Sequence, residues 1–87
     1  MEERVIIYFN APWCEVCSEF LPKVERAVEY LDVKFNLIEE GTSKYNKAVN
    51  KYAIHTLPVV VVTKGDTYKK YSGHSGLSDF LILYSDE

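Results

Sequence analysis

The feature that most constrains the fold is an unbroken apolar run, Val5 to Phe9, near the start of the chain. A strand with one face in water alternates apolar and polar side chains, so a continuous run predicts a strand covered on both faces. Such a strand requires a layered α/β architecture in which helices pack on both sides of a sheet. Asn10, Ala11 and Pro12 end the run.

The residues after this strand repeat with the period of an amphipathic helix from about Val16 to Leu31. Pro22 lies inside the pattern and is expected to kink the helix. Alternation from Val33 to Ile38 then predicts a second strand. Strand, helix and strand in this order predict a parallel pair joined by a right-handed connection.

The second half of the chain begins with a helix and continues with a hairpin. Gly41-Thr42-Ser43 provides a turn and an N-cap for a helix that is expected to reach about Tyr52. The valine run Val59–Val62 is the clearest strand signal in the sequence. The turn Lys64-Gly65-Asp66 is predicted to join it to a further strand from Thr67 to Tyr71.

The glycines of Ser72–Gly76 predict a break, after which a short amphipathic helix is expected to begin at Leu77 or Ser78. The complete order is therefore β-α-β-α-β-β-α. It predicts a mixed sheet of about four strands with helices on both faces. At 87 residues and without a linker-like stretch, the chain is predicted to form one domain over residues 1–87.

Charge and cysteine content narrow the partners and the compartment. Ten basic and thirteen acidic residues give a net charge of −3, which argues against nucleic acid as a partner. The apolar runs are too short to cross a bilayer and no signal peptide is evident, so we expect no membrane contact. A disulfide between Cys14 and Cys17 would close too small a loop to stabilise the fold. The pair therefore indicates redox chemistry in a reducing, cytoplasmic compartment.

Both cysteines lie where the first strand ends and the first helix begins. Free N–H groups and the positive end of the helix dipole favour a thiolate at such a position. Cys14 is expected to be the exposed nucleophile, and the buried Cys17 is expected to attack the mixed disulfide that Cys14 forms. Trp13 is predicted to be one wall of a docking surface for a partner's disulfide; the alternative is a core aromatic.

The segment Ala11 to Cys17 resembles the Trp-Cys-x-x-Cys active site of thioredoxins. Pro22 matches the proline that kinks the active-site helix in that family. Thr56-Leu57-Pro58 resembles the loop whose cis proline faces the cysteines, and the glycines Gly73 and Gly76 resemble the end of the family's fold. The resemblance implies a thioredoxin fold that lacks the extra N-terminal strand and helix of full thioredoxins. In length the chain is nearer to glutaredoxins.

This resemblance also implies a function, which is reduction of protein disulfides by thiol–disulfide exchange. Cys14 would be the nucleophile and Cys17 the resolving cysteine. The Cys14–Cys17 disulfide would be the only redox-active group, with no organic cofactor and no metal. A flavoenzyme of the thioredoxin reductase type, or glutathione, would donate electrons to a monomer. The substrate groove would be lined by Trp13, Thr56, Leu57, Pro58 and Gly73.

Besides the missing N-terminal strand and helix, two features depart from the thioredoxin pattern. Tyr8 stands where many thioredoxins have a buried aspartate that assists proton transfer, and Lys34 matches the lysine that accompanies this carboxylate. We treat both as auxiliary site residues. The dipeptide between the cysteines is Glu15-Val16. A carboxylate beside Cys14 should raise the pKa of its thiol and make the protein a stronger reductant.

Other functions remain open at the level of sequence. A glutathione-dependent glutaredoxin is one, with Asp79 near the place of an aspartate that helps to hold glutathione. A binding module with catalytically idle cysteines is another. Zinc binding by Cys14, Cys17, His55 and His74 is disfavoured because the ligand separations are far longer than those of a zinc finger.

Overall fold

The structure, a computed structural model, describes residues 3–84 and contains the seven elements in the predicted order. The elements are β1 (Arg4–Asn10), α1 (Glu15–Leu31), β2 (Lys34–Glu39), α2 (Ser43–Tyr52), β3 (Val59–Lys64), β4 (Thr67–Ser72) and α3 (Gly73–Tyr84). The strands form one sheet in the order β2-β1-β3-β4. β1 runs parallel to β2 and antiparallel to β3, which pairs antiparallel with β4. This confirms the predicted α/β fold with a mixed four-stranded sheet.

β1 is buried on both faces, as its continuous apolar run predicts. Ile6 and Tyr8 belong to a core cluster with α1 and α3 on one face of the sheet. Ile7 and Phe9 belong to a second cluster under α2 on the other face. Because side chains alternate along a strand, one short segment contributes to both cores.

The first helix begins immediately after Cys14, which is its N-cap, and its C-cap, Asp32, adopts the left-handed conformation with φ 57°. Pro22 lies on an exposed part of the helix, and the predicted kink stays a prediction. The buried face consists of Cys17, Phe20, Val24, Ala27 and Val28. Phe20 is the first residue of this face that joins the core cluster with Ile6 and Tyr8, so the start of α1 packs against the sheet.

The predicted start of α2 is confirmed by its cap. The Thr42 hydroxyl accepts a hydrogen bond from the Tyr45 N–H at 3.1 Å, which satisfies one of the free donors of the first turn. At the other end, Ala53 adopts the left-handed conformation, and its carbonyl accepts a hydrogen bond from the Lys70 ammonium at 2.9 Å. α2 is thus tied to β4 as well as to β2.

The predicted start of α3 at Leu77 or Ser78 is wrong, because the helix begins at Gly73. Gly73 has φ 71°, and its N–H donates to the Pro58 carbonyl at 2.8 Å, so the chain turns sharply from β4 into the helix. A Cβ on Gly76 would lie 2.9 Å from the backbone carbon of Tyr71. The glycines therefore allow a sharp turn and a close approach of helix to strand, and they do not break the helix.

This close approach predicts that Gly76→Ala destabilises the protein. Helix propensity alone favours alanine by about 1 kcal/mol. Contact with the Tyr71 backbone should outweigh that gain, since overpacking costs about 1–3 kcal/mol. Urea unfolding of Gly76→Ala, beside the exposed neighbour Ser75→Ala as control, measures the balance. A more stable Gly76→Ala protein would show that the helix can move away from β4 at little cost.

Candidate active site

Cys14 and Cys17 form a disulfide at the junction of β1 and α1, with their Cα atoms 5.2 Å apart. The Cys14 N–H donates to the Ala11 carbonyl at 3.1 Å, which closes the turn after the strand. The Cys14 sulfur accepts a hydrogen bond from the Cys17 N–H at 3.2 Å. One of the free donors at the start of the helix therefore points at this sulfur, an arrangement that stabilises a thiolate.

The two sulfurs differ in their access to solvent, but less than the sequence suggests. Cys17 is fully buried, and Cys14 is 7% exposed, so the predicted exposed nucleophile is only slightly open to solvent. Leu57 and Val16 pack against the cluster of Ala11 and the two cysteines. Leu57 and Val16 therefore cover much of Cys14 and leave only a small part of it open to solvent.

The loop before β3 lies against the disulfide, as the resemblance implies. The Leu57–Pro58 peptide bond is cis. Leu57 contacts the cysteine cluster, and the Pro58 carbonyl accepts the hydrogen bond from Gly73. The structure therefore brings Leu57 and Pro58, from the loop before β3, together with Gly73 at the start of α3.

Trp13 is 67% exposed, which excludes the alternative that it is a core aromatic. It lines a small pocket of about 150 Å³ beside the disulfide. The pocket is lined by Trp13, Tyr45, Ile54, His55, Thr56 and Leu57. Sequence reasoning missed Tyr45 and Ile54 as site residues. Ile54 could have been recognised because it is close in sequence to Thr56-Leu57-Pro58. The sequence has no such signal for Tyr45, which belongs to α2.

Tyr8 lies next to Cys17 in the folded chain. Its side chain is fully buried, and its hydroxyl donates to the Cys17 carbonyl at 2.6 Å. Burial raises the pKa of Tyr8 well above its ordinary value, because the phenolate would lose its hydration. The hydroxyl is thus a neutral donor that holds the first turn of α1 to β1.

Lys34, the other predicted auxiliary residue, is not brought to the cysteines. It pairs in register with Val5, at the opposite end of β1 from Cys14. Its ammonium is exposed and lies 3.6 Å from the Glu3 carboxylate. The strand register therefore places Lys34 away from the cysteines, and its ionic partner in this protein is Glu3.

The two histidines lie in different environments. His55 is exposed and lines the pocket beside Trp13. His74 is in the first turn of α3, where its ring packs edge-on against Phe20 at 5.2 Å. Within residues 3–84, no three His, Cys, Asp or Glu side chains are grouped so that they could hold a metal ion.

Comparison with known families gives a clear assignment. The family model described as Thioredoxin matches residues 1–83. The chain belongs to the thioredoxin family. It is 32% identical to the chloroplastic thioredoxin Y of Oryza sativa subsp. japonica over 63 residues, and this match covers 72% of this chain and 38% of that protein. It is 26% identical to human thioredoxin-related transmembrane protein 1 over 88 residues, and this match covers 100% of this chain and 31% of that protein.

The chain thus spans about a third of the length of these curated relatives. Solved thioredoxins share its fold. The reduced Schistosoma mansoni thioredoxin pre-protein has a TM-score of 0.75 and 21% identity, over 94% of this chain and 79% of that one. Oxidised thioredoxin O2 of Arabidopsis thaliana has a TM-score of 0.74 and 24% identity, over 95% and 76% respectively. These matches confirm the thioredoxin fold expected from the sequence.

No helix in the described part of the chain is long and apolar enough to cross a membrane. The relatives include a chloroplastic protein and one named as transmembrane, so they do not point to one compartment. The cytoplasmic location stays a prediction.

The Tyr8 hydroxyl predicts a measurable loss of stability in Tyr8→Phe. The change removes a buried hydrogen bond to the Cys17 carbonyl and should cost about 1 kcal/mol at neutral pH. Because the pKa of Tyr8 is raised in the folded protein, the unfolded chain releases this proton first as pH rises above about 10. The stability of the oxidised wild type should therefore fall above that pH, and more steeply than that of Tyr8→Phe.

Urea unfolding between pH 7 and 11 measures both effects. Tyr30→Phe is the matched control, since the Tyr30 side chain is 62% exposed. Equal alkaline slopes for the wild type and Tyr8→Phe would show that burial does not perturb this phenol.

Proposed function

We propose that this protein is a thiol–disulfide oxidoreductase that reduces disulfides in other proteins. The observation that supports this most is the hydrogen bond from the Cys17 N–H to the Cys14 sulfur, at a helix N-terminus beside an open pocket. A sulfur in this position is both a good nucleophile and a good leaving group, which thiol–disulfide exchange requires. Membership of the thioredoxin family supports the same activity.

In the proposed reaction the reduced Cys14 attacks, as a thiolate, one sulfur of the substrate disulfide. A mixed disulfide forms, and the other substrate sulfur leaves as a thiolate that takes a proton from solvent. Cys17 loses its proton and attacks the Cys14 sulfur, which restores the Cys14–Cys17 disulfide and releases the second substrate thiol. Two electrons pass from the dithiol to the substrate.

The groove beside the disulfide is proposed to hold the substrate in an extended conformation. Trp13, Thr56, Leu57, Pro58 and Gly73 are its proposed residues. Outside helices and strands, none of the backbone hydrogen bonds within residues 3–84 involves Thr56 or Leu57. Their N–H and C=O groups are therefore free to pair with a substrate backbone, as in the addition of a short strand.

A flavoenzyme of the thioredoxin reductase type is the proposed electron donor to a cytoplasmic monomer. The glutathione-dependent alternative depends on Asp79. This residue lies in a groove with Lys69 and Lys70, separate from the pocket beside Trp13. This position favours a protein as the electron donor, because the Asp79 carboxylate, which would help to hold glutathione, does not line the pocket beside the disulfide.

The proposal predicts that Cys17→Ser traps substrates. Without the resolving thiol, the mixed disulfide on Cys14 cannot be released by internal attack. Covalent adducts with protein substrates should accumulate and should disappear on addition of dithiothreitol. Non-reducing gel electrophoresis with mass spectrometry detects them, and the double variant Cys14→Ser, Cys17→Ser is the control.

The wild type should reduce a protein disulfide when NADPH and a flavin-dependent thioredoxin reductase are supplied, and glutathione should not replace them. A Cys17→Ser protein that retains partner binding but forms no adduct would instead support a binding module with idle cysteines.

Glu15 provides a second prediction about the site. Its carboxylate adjoins Cys14 and disfavours the thiolate of the reduced form, so Glu15→Gln should make the protein more oxidising. The expected rise in reduction potential is on the order of 10 mV, since an exposed charge is worth less than 1 kcal/mol. Equilibration with a glutathione redox buffer measures the potential, with Glu19→Gln as the control. An unchanged or lower potential in Glu15→Gln would contradict this role.

A further inference from the structure

The two faces of the sheet are covered unequally. α1 and α3 pack over one face, whereas α2, a helix of ten residues, covers the other. A pocket of about 280 Å³ remains between α2 and β2. Apolar side chains of Ile7, Ile38, Ala48 and Tyr52 contribute to its lining. This pocket lies outside the set of residues that surround the disulfide.

Lysines border this apolar pocket. Lys44, Lys47 and Lys51 follow one another at helical spacing on α2, and all three line the pocket. α2 contains no acidic residue. Among residues 3–84 the one ion pair is that of Lys34 with Glu3, so these three lysines have no carboxylate partner there. A protein of net charge −3 therefore has a local excess of positive charge at an apolar pocket.

The pocket is continuous with an open edge of the sheet. β2 is an outer strand, and Asn36, Leu37 and Ile38 from it line the pocket. In the described part of the chain, the outer backbone groups of β2 have no strand partner. An unpaired edge of this kind is a template for an added strand.

The opposite face of the same edge has the opposite charge. A second groove, of about 600 Å³, has Val33 and, from β2, Phe35 in its lining. From the α1 region it is lined by Glu25, Glu29 and Asp32, with Arg26 among them. Because side chains of a strand alternate between faces, an added strand would meet lysines at every second position and mainly carboxylates at the positions between.

We propose that the edge of β2 and the lysine-bordered pocket bind an extended acidic segment of a partner protein. The segment pairs its backbone with β2 and turns every second side chain toward α2. One apolar side chain on that face fills the pocket, and the acidic side chains beside it meet Lys44, Lys47 and Lys51. A nucleic acid would leave the apolar lining unused, and an anionic lipid would leave the strand edge unused. The proposal is independent of the activity at Cys14.

Peptide binding tests this inference. The probe is a fluorescent seven-residue peptide, Thr-Glu-Thr-Phe-Thr-Glu-Thr, in which both glutamates and the phenylalanine share one strand face. Its affinity for the full chain is measured by fluorescence anisotropy. The control peptide has the same composition, with the glutamates moved to the positions adjoining the phenylalanine, where they would face the carboxylates of the α1 region. The first peptide should bind more tightly, and its binding should weaken as salt rises.

Protein variants separate the pocket from general charge. Lys47→Glu should weaken binding of the first peptide by about fivefold, in keeping with the worth of an exposed ion pair. Lys64→Glu makes the same charge change at an exposed site outside the pocket and should have little effect. Ala48→Leu places a larger side chain in the pocket and should weaken binding without a change in net charge. Circular dichroism confirms that each variant is folded.

Equal affinity for the two peptides, or equal loss in Lys47→Glu and Lys64→Glu, would overturn the proposal. So would self-association of the chain that Lys47→Glu abolishes, because the occupant would then be a second copy. Disulfide reduction by Lys47→Glu should equal that of the wild type, so a failure of this proposal is distinguishable from a failure of the proposed activity.

Discussion

The burial of β1 on both faces is the constraint on which the rest of the structure depends. Its side chains from Ile6 to Asn10 are all buried, and those from Ile6 to Phe9 alternate between the two core clusters. β1 is also the strand that pairs with both β2 and β3. A change in its register would exchange the two faces and move both cores at once. The position of Cys14, four residues beyond the end of this strand, is therefore fixed by the most buried part of the sheet.

The candidate site is assembled where three chain segments meet above this sheet. The turn after β1 presents Cys14, the loop before β3 presents Leu57, and the start of α3 holds that loop through Gly73. Each is positioned by the element that it joins. A reactive group on a loop gains precision from a rigid scaffold in this way.

The order of the helices and strands could be predicted from the sequence, because the spacing of apolar residues follows from which face of each element is buried. The helix predicted from about Val16 to Leu31 is α1, which begins one residue earlier. The start of α3 could not be predicted, because Gly76 is required by a contact with Tyr71 that exists only in the folded chain. For the same reason Tyr45 was not recognised beside Trp13. The resemblance assigned Lys34 to the site, but strand register places it at the other end of β1.

Net charge is a weak guide to partners when charges of opposite sign lie on opposite faces. The total of −3 was enough to argue against nucleic acid. The total does not show that Glu25, Glu29 and Asp32 lie on one side of β2 and the lysines of α2 on the other. Salt screens charges beyond about 10 Å, so a partner at the edge of β2 experiences the local charges and not the sum. A pattern of charge along a bound strand can therefore be read there even though the protein as a whole is acidic.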